Sequence, residues 1–124
     1  MSYERKVVRE LARQLREGEL PDGKLFPGQW LVFYDAHGRG FAQPDAYIVF
    51  SRAVLAVEVK LTQTETAEDQ LQNLYRPLLE RLYKLPVHLL QVCRHLRYER
   101  GLVESPREVL EWPRDHVSTW HWMK

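Results

Sequence analysis

Hydrophobic residues recur with a helical period at the start of the chain. The stripe consists of Val7, Val8, Leu11, Ala12 and Leu15. This 3.6-residue repeat, with arginines on the opposite side and suitable end residues at Ser2 and Gly18, predicts a helix over residues 2–17. Residues 18–28 contain three glycines and two prolines, and are therefore predicted to form a connection.

Three short stretches rich in β-branched and aromatic residues follow, and each predicts a strand. They cover residues 29–34, 45–51 and 53–61. Residues 35–40 hold a histidine, two glycines and charged residues, which indicates a loop. The last two strands are separated only by a short turn at residues 51–52, which favours a tight hairpin. Both are apolar on both faces, as central strands are.

The second half of the chain begins with a predicted crossover helix. Thr64 is placed to cap this helix, and its apolar stripe runs from Ala67 to Leu82. Pro77 should kink or restart the helix, because proline removes one backbone hydrogen bond. Pro86 ends it.

Three further elements are predicted after the crossover helix. Residues 87–93 indicate a fourth strand, and Ser105-Pro106 is typical of a helix start. Residues 116–123 are predicted to form a final edge strand. The order helix, three strands, helix, strand predicts an α/β fold with a mixed central sheet flanked by helices.

Composition limits the class of protein. The length of 124 residues predicts a single domain, and a net charge of +1 excludes a uniformly basic surface. A single cysteine, Cys93, excludes a disulfide framework and a multi-cysteine zinc site. With no long apolar run and no secretory signal at the start, we expect a cytoplasmic protein that does not enter a membrane.

The hairpin predicted at residues 45–61 brings two carboxylates together. On the second strand, Glu58 and Lys60 share one face. A turn at residues 51–52 pairs positions whose numbers sum to 103, so Asp45 lies opposite Glu58. Their Cβ atoms are then expected to be about 4.5–5.5 Å apart.

Two carboxylates at this separation repel each other unless a cation lies between them. Mg²⁺ or Mn²⁺ suits such oxygen ligands, and the main-chain carbonyl of Val59 would point to the same region. Lys60 is placed to orient a water molecule or to stabilise charge on a phosphate. The parts are those of metal-assisted phosphodiester hydrolysis. The alternative is a cluster of charged surface residues that closes a sheet edge.

These residues resemble the PD-(D/E)XK nuclease superfamily. The motif stands here as Pro44-Asp45, twelve intervening residues, and Glu58-Val59-Lys60. The resemblance implies a restriction-endonuclease-like αβββαβ core over about residues 2–93, followed by a C-terminal extension over residues 101–124. It also implies that Glu10 on the first helix acts as an outer metal ligand, and that Gln70 supports catalysis. Tyr75 is similar to a tyrosine of the RecB-type members, one residue later than in their pattern.

The resemblance implies a metal-dependent nuclease, and we expect a deoxyribonuclease, with RNA as the open alternative. A chain of this length has little room for a separate targeting module, which favours structure- or end-directed cleavage. Residues 76–100 carry six basic residues against two acidic ones, and we expect Arg76, Arg81 and Arg94 to hold the DNA backbone. A homodimer is plausible, because the C-terminal residues Trp112, Trp120 and Trp122 are suited to a dimer contact. The same tryptophans suit base stacking or a core. Two alternatives stay open: an inactive nucleic-acid-binding subunit, and a plain interaction domain.

Overall fold

Four α-helices and eight strands make up the described part of the computed structural model, which is residues 1–111 and 115–124. The helices are α1 (Tyr3–Glu17), α2 (Glu65–Gln70), α3 (Arg76–Tyr83) and α4 (Pro106–Glu111). The strands are β1 (Gly23–Pro27), β2 (Leu31–Asp35), β3 (Gly38–Ala42), β4 (Ala46–Phe50), β5 (Val54–Thr62), β6 (Val87–His95), β7 (Leu102–Val103) and β8 (Ser118–His121). A π-helical turn, Leu71–Tyr75, joins α2 to α3.

Six strands form one mixed sheet in the order β1-β4-β5-β6-β8-β7. The pairs among β1, β4 and β5 are antiparallel, and the remaining pairs are parallel. Helix α1 packs on one face against Leu55 and Val57, whereas the π turn and α3 pack on the other face against Val54 and Ala56. The predicted α/β fold, with a mixed central sheet and flanking helices, is therefore confirmed. The predicted central position of β4 and β5 is confirmed as well.

The prediction for residues 18–28 was wrong, because this segment contains β1. Strand β1 pairs with β4 at one edge of the main sheet. An edge strand tolerates Pro27, since proline lacks the N–H group that an inner strand must donate. Gly23 fits because a Cβ atom there would lie 2.8 Å from the ring of Phe50. Glycine and proline mark an edge strand here, not a connection.

The strand predicted at residues 29–34 exists as β2, but it does not join the main sheet. It pairs with β3 in a separate two-stranded sheet. Strand β3 begins inside residues 35–40, which were wrongly expected to be a loop throughout. Packing explains this strand: Gly40 lies opposite Phe33, whose ring occupies the space of a Cβ atom at Gly40, 2.4 Å away. The β2–β3 hairpin is thus an insertion between β1 and β4.

The last strand lies inside the main sheet. Strand β8 falls within the predicted range 116–123, but it sits between β6 and β7, so the expected edge position was wrong. Ser118 and Thr119 are fully buried there, and the amide Nε2 of Gln63 donates to the Thr119 hydroxyl at 3.4 Å. The short strand β7 pairs with Thr119 and Trp120 on the outer side of β8, so β7 forms the edge of the sheet.

The C-terminal tryptophans belong to the packing against α1. Trp120 is buried and stacks on Trp122 with ring centroids 5.5 Å apart. The Tyr3 hydroxyl of α1 donates to the main-chain carbonyl of Trp122 at 2.6 Å. Of the alternatives for these residues, a core position is the one observed. Trp112 lies outside the described residues.

The crossover helix follows the predicted course. The hydroxyl of Thr64 caps α2 by accepting the Ala67 N–H at 2.9 Å. At Pro77 the chain does not stop; the π turn Leu71–Tyr75 precedes it and α3 restarts at once. A wider turn of this kind accommodates a proline that cannot donate to the preceding turn. No helix in the described ranges is long and apolar enough to cross a membrane.

Two glycines with positive φ allow a test of this packing. Gly101 has φ +65°, and a Cβ atom there would lie 2.7 Å from the Val117 carbonyl oxygen, whereas a Cβ atom at Gly18 (φ +78°) has open space. We expect Gly101→Ala to lower the free energy of unfolding by about 2–3 kcal/mol and Gly18→Ala by about 1 kcal/mol. Urea denaturation of both variants measures the difference. Equal losses would contradict the close packing of β7 and β8.

Candidate active site

The predicted carboxylate pair lies where β4 begins, beside the middle of β5. Ala46 pairs with Val57 and Tyr47 with Ala56, so the observed register has the predicted sum of 103. Asp45 immediately precedes β4 and therefore lies beside Glu58.

Two main-chain hydrogen bonds tie the pair together. The N–H of Asp45 donates to Oε1 of Glu58 at 2.9 Å, and the N–H of Val59 donates to Oδ2 of Asp45 at 2.7 Å. Each bond uses one carboxylate oxygen and leaves the second oxygen of that group for another ligand. The two side chains are thus fixed against the backbone of the opposite strand, which holds them in a defined orientation.

Glu58 is held in an environment that disfavours its charge. Glu58 is only 4% exposed. Burial raises the pKa of Glu58 from its ordinary value of 4.5 to about 7, and the nearby charge of Asp45 adds to this shift. A positive charge that enters the site would offset this penalty.

A third carboxylate, which the sequence analysis missed, comes from α1. A side-chain hydrogen bond with Asp45 raises the pKa of Glu4, and partial burial adds to the shift. The positive charge of Lys60 acts on both Glu4 and Glu58 in the opposite direction. The site therefore combines three carboxyl groups with one lysine.

Glu10, which was expected to serve as the outer metal ligand, has other partners. Its carboxylate forms a salt bridge with Arg13 at 2.8 Å and accepts a hydrogen bond from Gln14 at 2.8 Å. Those two contacts, with that of Arg13 first, lower the pKa of Glu10. Because six residues of helix span about 9 Å, only one of Glu4 and Glu10 can reach the pair, and the structure brings Glu4 there.

The position of Glu4 in the sequence gave only a partial signal. This residue stands four positions before Val8 and seven before Leu11, so it falls on the apolar stripe of α1. In the structure, however, Glu4 is exposed, and the buried side chains of α1 are Tyr3, Val7, Leu11 and Gln14. The stripe includes Glu4, but it does not by itself indicate which glutamate meets the pair, because that depends on the end of the helix that lies near Asp45.

Tyr75 of the π turn also lies close to the pair. It is 5% exposed, and burial, together with the charges of Glu58 and Asp45, raises the pKa of its hydroxyl to about 12. The hydroxyl donates to the main-chain carbonyl of Gln43 at 3.3 Å. Gln70 lies half-buried five residues earlier, and the described residues include no hydrogen bond between its side chain and the pair.

The three arginines expected to hold DNA do not form one surface. Arg76 donates to the carbonyl of Val87 at 3.5 Å, at the start of β6, whereas Arg94 lies exposed near the end of that strand, roughly 20 Å away. Arg76 also donates to Gln72 at 2.7 Å and is half-buried. Arg81 is exposed on α3. The stretch of basic residues in the sequence is therefore spread over opposite ends of the sheet.

A groove with basic residues opens beside Asp45 instead. It has a volume of about 740 Å³. On one side it is lined by Glu4, Arg5 and Arg9 of α1, and on the other by Pro27 and Gly28. Arg5 and Arg9 are exposed, so their guanidinium groups can reach an anion that occupies the groove.

The described side chains at the site do not form a complete protein cage around a magnesium-type ion. Among residues 1–111 and 115–124, no cluster of three or more His, Cys, Asp or Glu side chains is arranged to hold a metal ion. However, magnesium usually takes one or two carboxylates and completes its shell with waters or phosphate oxygens. Asp45 and Glu58 supply that number of hard oxygen ligands, and the raised pKa of Glu58 means that a nearby positive charge would be favourable.

Comparisons with known proteins add no assignment. A scan against protein-family models finds no match, and a search of curated proteins finds no similar sequence.

Removing the charge of Glu58 is expected to stabilise the protein at high pH in the presence of a chelator. The folded chain keeps this proton up to about pH 7, whereas the unfolded chain releases it near pH 4.5. The contribution of Glu58 to stability therefore falls as pH rises between these values, by on the order of 3 kcal/mol. Glu58→Gln should abolish this fall and be more stable than the wild type at about pH 8, yet equally stable at about pH 4.

Urea unfolding at both pH values measures this difference. Glu99→Gln, a change at an exposed carboxylate, serves as the control and should leave the pH dependence unchanged. A Glu58→Gln protein that is less stable than the wild type at the higher pH would show that the carboxylate is stabilising, and that the site has no need of a cation.

Proposed function

We propose that this protein is a metal-dependent nuclease that hydrolyses phosphodiester bonds of DNA by a PD-(D/E)XK mechanism. The observation that carries the proposal is the Asp45–Glu58 pair, locked by its two main-chain hydrogen bonds. Lys60 follows on the same face of β5, and Asp45 lines a groove with basic residues. The motif spacing and the three-dimensional arrangement thus support the same chemistry.

The chain order around the main sheet supports the finer assignment of a restriction-endonuclease-like core. Helix α1 precedes β1, β4 and β5, and the crossover helix then leads to β6. If β2 and β3 are set aside as an insertion, the order is αβββαβ. In this proposal β7, α4 and β8 are the C-terminal extension, which widens the sheet beyond β6.

Each residue of the site has a proposed task. Asp45, Glu58 and the main-chain carbonyl of Val59 would hold Mg²⁺ or Mn²⁺. A bound ion of this kind supplies Lewis-acid chemistry at a phosphoryl oxygen. Lys60 orients the attacking water and stabilises the negative charge that develops on the phosphate.

The surrounding residues position these groups. In this proposal Glu4, which is hydrogen-bonded to Asp45, has the role on α1 that the resemblance implies for a glutamate. The Tyr75 hydroxyl bonds the Gln43 carbonyl and so fixes the main chain just before Asp45. Gln70, at the end of α2, remains a proposed support for catalysis. Arg5 and Arg9 would hold the backbone phosphates in the groove, with Arg94 and Arg81 as further contacts outside it.

Cleavage in the presence of Mn²⁺ tests the proposal. We expect the wild type to cut DNA, and Glu58→Ala and Lys60→Ala each to lower the rate by about 100-fold or more, since each removes a group that stabilises the transition state. Lys24→Ala, at an exposed lysine of β1, is the matched control and should keep the full rate. A gel assay with single-stranded, duplex and branched substrates measures the rates.

Thermal melting accompanies this assay. A metal ion that binds only the folded chain raises the free energy of unfolding, by about 2.7 kcal/mol when the metal concentration is one hundred times Kd. Glu58→Ala should lose this effect. If the protein binds DNA in chelator but never cuts it, it is a binding subunit with this fold. If Mn²⁺ changes neither melting nor cleavage, the metal site itself is refuted.

The choice between the two glutamates of α1 has its own test. Glu4→Gln should lower the cleavage rate by about 10-fold, because the amide cannot hold a proton or a negative charge beside Asp45. Glu10→Gln is the matched control; it should leave the rate within about twofold of the wild type and lose only a surface salt bridge. The opposite ranking would return the metal-ligand assignment to Glu10.

A further inference from the structure

The β2–β3 hairpin presents an unusual apolar face to solvent. Three large side chains on this face are exposed, Val32 by 54%, Tyr34 by 75% and Phe41 by 56%, and Trp30, immediately before β2, is exposed by 58%. Scattered exposed apolar residues are normal in proteins, but a contiguous group of this kind usually marks a binding surface. We call the face formed by Trp30, Val32, Tyr34, Arg39 and Phe41 the hairpin platform.

The register of the hairpin explains why these side chains point outwards. Val32 pairs with Phe41, and Tyr34 pairs with Arg39, so their side chains share one face. The opposite face carries Leu31, Phe33 and Ala42, which pack against the core beneath α3. The inner face therefore anchors the hairpin, and the aromatic side chains of the outer face are not needed for that packing.

The hairpin platform is continuous with the candidate active site. The N–H of Gly28 donates to the carbonyl of Asp45 at 3.0 Å, and the amide Nε2 of Gln43 donates to the carbonyl of Gly28 at 2.7 Å. The base of the hairpin is thus bonded to the residue that supplies one carboxylate of the pair. Trp30 follows Gly28 by two residues, so the platform begins at the edge of the groove.

Positive groups flank the aromatic side chains. The guanidinium carbon of Arg39 lies 5.4 Å from the centroid of the Phe41 ring. Of the described residues, Arg81 is the one charged residue lining a second groove between β2 and α3, whose other lining residues are Val32, Phe33, Tyr34, Leu78 and Leu82. The acid at the hairpin tip, Asp35, accepts the N–H of His37 at 2.8 Å and is engaged in its own turn. Aromatic rings interleaved with arginines match a ligand that has both π-faces and phosphates.

We infer that the hairpin platform binds single-stranded nucleic acid and delivers it to the Asp45–Glu58 pair. The inference rests on the proposed function and names its substrate class. Bases of a single strand stack on exposed aromatic rings, whereas the base faces of a duplex are hidden within its own stack. Arg39 and Arg81 then hold phosphates at the platform, and Arg5 and Arg9 hold those in the groove past Asp45.

Binding of an oligothymidylate of about 15 nucleotides tests the inference. Fluorescence anisotropy in chelator, which prevents cleavage, compares this strand with a duplex of the same length. We expect Trp30→Ala and Tyr34→Ala each to weaken single-strand binding by about 10-fold and to leave duplex binding unchanged, because each removes one stacking ring. Val32→Ala is the matched control on the same face, and it should change the affinity by less than about twofold.

Two results would overturn the inference. One is an affinity for the single strand that the aromatic variants leave unchanged, or that Val32→Ala lowers equally. The other result would show that the platform binds a second copy of this chain. In that case, sedimentation would show a dimer that Trp30→Ala dissociates, and the variant would bind the oligonucleotide as well as the wild type does. Melting curves of all three variants should match that of the wild type, since the changed side chains are exposed.

The failure of this inference and that of the proposed function give different results. A protein that binds the single strand through Trp30 and Tyr34 but cuts no substrate with Mn²⁺ would refute the nuclease and keep the hairpin platform. A protein that cuts duplex DNA in a Glu58-dependent manner, with no effect of Trp30→Ala on single-strand cleavage, would refute the platform and keep the nuclease.

Discussion

The candidate site depends on two hydrogen bonds between main-chain N–H groups and carboxylates, which join Asp45, just before β4, to the middle of β5. The N–H of Asp45 bonds the Glu58 carboxylate, and the N–H of Val59 bonds the Asp45 carboxylate. These bonds hold two like charges together against their mutual repulsion, in a place where Glu58 is almost fully buried. An arrangement that disfavours the charge of its own side chains is expected where a protein uses those charges on a ligand.

Three further elements lie close to the pair, and they approach it from different sides. Helix α1 brings Glu4 from one side of the sheet, and the π turn brings Tyr75 from the other. The π turn has a packing cause, because it precedes Pro77, yet it also places a buried tyrosine beside the carboxylates. The base of the β2–β3 hairpin bonds the main chain of Asp45. The site is thus a junction of α1, the π turn, the β2–β3 hairpin, β4 and β5, although the motif lies only on β5 and just before β4.

Much of this could be predicted from the sequence where the interactions are local. The period of α1, its end residues Ser2 and Gly18, and the cap at Thr64 depend on neighbours a few residues away. The register of β4 with β5 depends on one short turn, and that turn alone is enough to place Asp45 beside Glu58. Edge strand β1 was missed for the opposite reason, since its glycine and proline are tolerated only because of the strand beside it.

The sequence by itself therefore determined the pair and the faces of its strands, because alternation along a strand and a two-residue turn leave one solution. Only the tertiary structure decided which glutamate of α1 meets the pair, because that depends on which end of the helix lies near Asp45. It also decided that the arginines of residues 76–100 separate, since a crossover helix and the strand after it run to opposite ends of the sheet. The tertiary structure also decided which face of the hairpin is exposed, because the inner side chains pack against the core and the outer aromatic side chains do not.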